Sequence, residues 1–127
     1  MKIEHINPAA LYSNAAFSQA VSVDGARKLV FVGGQNGVTG DGTMLDGLEA
    51  QSEQAIGNVV EALKAAGALP ENVVRLAVYL VQGQDVRAAF GAAQKVWGVN
   101  PTAVTVLVVA GLANPQALIE VEATAAL

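Results

Sequence analysis

The chain has 127 residues, 53% of them hydrophobic and 14% charged, with a formal net charge of −4 at pH 7. This composition excludes a disordered chain and supplies the core of one compact domain spanning residues 1–127, while seven Lys and Arg scattered from Lys2 to Lys95 argue against nucleic acid as a partner. With no cysteine and His5 as the only histidine, disulfides, thiolate metal sites and cysteine nucleophiles are removed, and neither a zinc site nor a Ser-His-Asp triad is expected. No signal-type run follows Met1-Lys2-Ile3-Glu4-His5, and the longest apolar stretch, Val106 to Ala113, is far below the roughly 20 residues that span a bilayer. A cytoplasmic protein with no membrane association and no cofactor is therefore expected.

Met1 to Pro8 reads as a short edge strand ended by Asn7-Pro8. Ser18 to Val23 alternates polar and apolar residues and runs into Asp24-Gly25, after which Lys28 to Gly34 follows as a second such run. Asp-Gly between them predicts a hairpin. Gly33, Gly34 and Gly37 mark a place where the backbone turns or approaches another group closely. The Gly-rich stretch from Asn36 to Met44 lacks a following Gly-Lys-Ser/Thr and the dinucleotide glycine spacing, so it reads as a loop.

Asp46 and Glu49 form a potential capping box for a helix. In that helix Leu48, Ala55, Ile56, Val59, Val60 and Leu63 line one face, and Gln51, Glu53, Asn58, Glu61 and Lys64 the other. Gly67 ends it and Pro70 prevents continuation. Asn72 to Val81 predicts a strand that is apolar on both faces and so covered twice. Asp85 caps a second helix with an inner face of Val86, Ala89, Phe90, Ala93 and Trp97, closed by Gly98.

Thr102 to Val109 is β-branched and uncharged, which predicts a central strand. After the breakers Gly111 to Gln116, residues Ala117 to Thr124 alternate with period two, placing Glu120 and Glu122 on one strand face in apolar surroundings. Two helices lying between strands predict an α+β fold, with both helices on one face of a mixed sheet. The opposite face is then apolar and uncovered, and oligomerisation is the natural consequence.

Four segments carry a family resemblance: Phe17-Ser18-Gln19-Ala20; Val32-Gly33-Gly34-Gln35, where the family has Ser-Gly-Gln; Asn100-Pro101-Thr102; and Ile119-Glu120-Val121-Glu122-Ala123. Through them the whole chain resembles the RidA/YjgF family of reactive intermediate deaminases, also known as endoribonuclease L-PSP. The resemblance implies a chorismate-mutase-like fold with a six-stranded mixed sheet, and a homotrimer with ligand clefts between subunits. It also implies where the departures lie. The arginine that clamps a substrate carboxylate, two residues after the proline, is Ala103; the usual tyrosine of the first hairpin is Phe17; an asparagine on the second helix corresponds to Phe90; and a frequent cysteine is Thr105. Glu120, placed in the family to hold or activate the attacking water, is kept.

An alanine offers neither charge nor donor to a carboxylate, so the ligand is expected to be a less charged small molecule, ring-shaped or aliphatic. Glu120 suits a general base toward water or an acid toward a leaving amine; the alternative is an ion pair with Arg75 or backbone hydrogen bonds at a subunit boundary. Gln35 either donates to a ligand or satisfies its own turn, and Thr105 either offers a hydroxyl or is an ordinary strand residue. Backbone groups near Gly33, Gly34 and Thr105 are able to form a carbonyl or anion site, and Trp97 is assigned to helix packing. Three functions follow: a hydrolase or deaminase of an uncharged imine, enamine or related intermediate; a noncatalytic small-molecule-binding trimer; and a ribonuclease, which the acidic, unclustered charge disfavours.

Overall fold

A computed structural model describes residues 1–127. In chain order it contains β1 (Lys2–Ile6), β2 (Ala20–Asp24), β3 (Leu29–Gln35), α1 (Leu48–Ala65), β4 (Val73–Val81), α2 (Val86–Trp97), β5 (Ala103–Val109) and β6 (Ile119–Ala126), with a 3₁₀ turn at Pro70–Asn72. The α+β architecture with both helices on one side of a mixed sheet is as expected. The six strands divide into a four-stranded sheet of order β3-β6-β4-β5 and a two-stranded ribbon, β1-β2.

The strand after Asp24-Gly25 does not fold back on the strand before it. Gly25 turns the chain at φ 70°, but the amides of Arg27 and Lys28 donate to the carbonyl of Leu127 at 2.7 and 2.9 Å. The C-terminus thus claims the backbone groups that a β2-β3 hairpin would have used, and β2 pairs antiparallel with β1 instead, Lys2 opposite Asp24. The ribbon is fastened to the sheet through Ser18, whose amide donates to Thr102 O at 2.9 Å. The Ser18 Oγ lies 2.9 Å from His5 Nδ1. The lone histidine thus ties β1 to this junction.

The centre of the sheet is β6 and β4, not β5. β6 alternates from Ile119 to Ala125, with Ile119, Val121, Ala123 and Ala125 buried and Glu120, Glu122 and Thr124 half-buried, and Ala126 is buried as well. β5 runs parallel to β4 at the sheet's edge. Its apolar run from Val106 to Val108 is exposed, so the β-branched sequence that predicts a central strand describes an edge still open to pairing. Only Thr102, just before β5, is fully buried there; its Oγ1 donates to Val73 O at 2.9 Å. The helices cover β4 on one side, burying Leu76 and Leu80; on the other side only the small Ala77 is buried, and Arg75 and Tyr79 are not. An irregularity between Val73 and Arg75 turns Val73 inward as well, out of the simple alternation.

Helix α1 starts without the expected capping box. Gly47 at φ 88° takes the N-cap position and no side chain caps the helix, so Asp46 lies outside it and Glu49 sits in its first turn. The C-terminus follows expectation: Gly67 at φ 83°, with Ala68 N donating to Leu63 O at 2.8 Å and Gly67 N to Lys64 O at 2.9 Å, forms a Schellman motif. Ala55, Ile56, Val59 and Leu63 are buried against β3 and β6, the larger side chains contributing about 1.5–3 kcal/mol each.

Gln51, expected on the solvent face, is only 2% exposed. Its Nε2 donates to Leu45 O at 2.9 Å and Gln116 O at 3.1 Å, and its Oε1 accepts from Leu118 N at 2.8 Å. One side chain therefore joins α1 to the loop before it and to the entry of β6. Asp85 caps α2 as predicted, its Oδ1 accepting from Arg87 N at 2.9 Å. Yet α2 packs mainly on α1, through Ala89 and Ala92. Its Val86 and Phe90 are 44% and 53% exposed, and a cleft separates that face from β4 and β5.

Candidate functional site

The face of the sheet away from the helices carries the polar groups. Cross-strand pairing sets three rows on it. Ala103, Arg75, Thr124 and Phe31 form the first, Thr105, Ala77 and Glu122 the second, and Leu107, Tyr79 and Glu120 the third. Phe31 is 74% exposed, so this face is both apolar at its margin and charged at its centre.

Glu120 is half-buried and held from one side. Asn36 Nδ2 donates to its Oε1 at 3.2 Å and to Ile119 O at 3.0 Å, while Oε2 accepts no hydrogen bond from the chain. The carboxylate lies directly over Gly34: a Cβ built there would come within 2.6 Å of Oε2 and 2.7 Å of Cδ. Gly34 thus leaves room for the side chain to lie flat on β3. The bulge that brings it there is visible in the register, since Val32 pairs with Ala123 and Gln35 with Val121, three steps against two.

Asn36 is itself positioned from α1. Asn58 Nδ2 donates to Val38 O at 2.8 Å and Asn36 O at 3.2 Å, and Asn58 Oδ1 accepts from Gln54 Nε2 at 2.8 Å. The loop reaches the helix closely because residue 37 is glycine; a Cβ at Gly37 would lie 2.4 Å from Gln51 Cα. A connected set, Gln54, Asn58, Asn36 and Glu120, therefore runs from the helix to the carboxylate. The chain pattern assigns Asn58 to solvent and Asn36 to a loop. The only sequence signal for their role is the pair of glycines at 34 and 37, which marks close approach without naming what approaches.

Glu122, one row away, accepts a short hydrogen bond from the Tyr79 hydroxyl. That bond, then desolvation and the negative charge of Glu122, raise the Tyr79 pKa above its ordinary value of 10.0. Arg75 forms no ion pair with Glu120; the ion pairs are Lys2 with Glu4, Lys64 with Glu61 and Lys95 with Glu53. Nor do three or more His, Asp or Glu side chains converge in a metal-binding arrangement.

The expected site residues divide between the two sides of the sheet. Gly34 and Glu120 are in contact, with Gly33 beside them in the bulge. Ala103 and Thr105 share Glu120's face but lie two strands away on β5, about 10 Å across the sheet. Phe17 is next to Ala103, because Ser18 bridges to Ala103. Gln35 pairs with Val121, whose side chain points to the helices, and it borders a shallow depression with Asn58 and Glu61. Its Nε2 donates to Gly33 O at 3.1 Å, so it satisfies the turn. Phe90 also lies on the helix side, across the sheet from Glu120; within one chain these two residues do not meet.

Comparison with known proteins agrees with this fold. The family model described as endoribonuclease L-PSP matches residues 7–127. Among solved structures, YyfB of the conserved Rid protein family from Yersinia pestis is 34% identical, with a TM-score of 0.87 and full coverage of both chains. Rv2704 of the YjgF/YER057c/UK114 family from Mycobacterium tuberculosis is 28% identical, with a TM-score of 0.67 over 87% of this chain and 86% of that one. The yeast protein YEO7 is 27% identical, with a TM-score of 0.72 over 91% and 90%. Among curated proteins none matches.

Proposed function

The chain belongs to the Rid, or endoribonuclease L-PSP, family, and on that premise we propose that it hydrolyses an uncharged imine or enamine in a cleft between subunits of a homotrimer. The observation that carries this reading is the setting of Glu120: one carboxylate oxygen is held by Asn36 and the other, above Gly34, is free. Such an oxygen is suited to take a proton from water. As the water oxygen bonds to the imine carbon, Glu120 passes the proton it has taken to the nitrogen, giving a neutral carbinolamine. Glu120 then takes the carbinolamine hydroxyl proton and delivers it to the nitrogen as the C–N bond breaks, yielding a carbonyl compound and ammonia.

The preference for an uncharged substrate follows from charge. Ala103 supplies no guanidinium and no donor to clamp a substrate carboxylate, and beside Glu120 itself a carboxylate would meet like charge. Leu29, Phe31 and Leu107 leave this face apolar and exposed in one chain, which favours cover by further copies. Glu120→Gln removes the base and keeps the shape. The expected result is loss of ammonia release from a neutral imine with the oligomer intact, whereas unchanged release would refute Glu120's role. Ligand-induced stabilisation without any turnover would instead favour the noncatalytic binding trimer.

A further inference from the structure

On the opposite side of the sheet, α2 stands away from β4 and β5 over a cleft of about 160 Å³. The cause is in the helix sequence: Ala88, Ala89, Gly91, Ala92 and Ala93 let α2 approach α1 closely but supply little volume toward the strands. Leu76, Val78, Val104 and Val106 form one wall, and Phe90 and Trp97 stand on the other. We infer that this cleft is a second binding site, for an uncharged apolar molecule of single-ring size. It is independent of the proposed Glu120 chemistry.

The chemistry of the lining selects that class. Sixteen of its 20 residues are hydrophobic and none is charged, so an ionised group entering it would lose its water without gaining a partner. Of its two polar side chains Gln94 is exposed and Asn100 is engaged, its Nδ2 donating to Trp97 O at 2.8 Å while Trp97 Nε1 donates to Asn100 O at 3.1 Å. Water needs several polar partners to settle in a cavity, and an apolar cavity of about 150 Å³ takes a benzene ring. Phe90 and Trp97, seven residues apart on one helix face, offer ring faces and edges to such a guest. Entry is available between Phe90 and Val106, 53% and 47% exposed.

Trp97 is the only tryptophan, so its fluorescence reports the cleft. Bromobenzene, a heavy-atom quencher, should quench it saturably, and toluene should compete while benzoate does not. Toluene should also raise the melting temperature. Ala93→Leu, which places a larger side chain in the cleft, should raise the melting temperature without any probe and weaken bromobenzene binding by about tenfold or more. Quenching that is linear in bromobenzene, with no saturation in the wild type, would overturn the inference whatever the variant does. Equal competition by benzoate, or a lower melting temperature in Ala93→Leu, would also overturn it. None of these readouts depends on imine turnover.

Discussion

Replacing Gln51 by leucine tests how the site is anchored. The substitution keeps an apolar stem of similar length at a position only 2% exposed and removes three hydrogen bonds, at 2.9, 3.1 and 2.8 Å. Each is worth about 1 kcal/mol net, and a backbone group left unpaired in the interior costs about 1–3 kcal/mol. Gln116 is exposed and Leu45 and Leu118 are half-buried, so water recovers part of this. The expected loss is about 2–4 kcal/mol, a large share of the 5–15 kcal/mol typical of a folded domain. Urea unfolding should show a lower midpoint with an unchanged slope. A loss below about 0.5 kcal/mol, the level of a neutral surface substitution, would refute the idea that Gln51 joins α1 to the start of β6.

Other predictions concern the two close glycines, the tyrosine and the open face. Gly37→Ala should destabilise by about 3 kcal/mol or more, since its Cβ would meet the backbone of α1, whereas Gly34→Ala should cost about 1 kcal/mol because Glu120 can swing away and lose its bond to Asn36. Gly34→Ala should nevertheless abolish imine turnover; denaturation curves and ammonia release together check this pair. Because the Tyr79 pKa is raised on folding, its stabilisation is complete below pH 10 and is lost as pH rises through the folded value. Glu122→Gln should therefore shift the phenol titration of Tyr79 down and flatten the alkaline fall in stability, measured by ultraviolet absorbance and melting temperature. Phe31→Asp, placed where the side chain is 74% exposed in one chain, should leave a folded monomer in sedimentation experiments if that face joins the subunits.

The elements legible in the sequence were those whose own period or cap determines them. α1's Ala55, Ile56, Val59 and Leu63 face the core as their spacing predicts, Asp85 caps α2, and the alternation of β6 places Glu120 and Glu122 together. What was not legible depends on partners distant in the chain. The Asp24-Gly25 turn has hairpin chemistry, yet Leu127 O takes the amides it would use. Thr102 to Val109 has a buried strand's composition, but one chain provides no neighbour for its outer edge. Gln51 and Asn58 are polar and fall on the helix face expected to meet water; only the loops folded over that face reveal that they are internal hydrogen-bonding groups. The same holds for Gln35 and Phe90, whose resemblance-derived roles place them beside Glu120, while the bulge in β3 and the position of α2 put both on the other side of the sheet.

In the proposed function Glu120 works in a cleft suited to uncharged substrates because Ala103 stands where a carboxylate clamp would be. The most direct measurement is ammonia release by the wild-type protein from two imines of similar size generated in situ, one neutral and one bearing a carboxylate. Turnover is expected for the neutral imine and little for the carboxylate imine. Equal or faster turnover of the carboxylate imine would contradict it, and would point to Arg75, the cross-strand neighbour of Ala103, as the group that takes the clamp's place.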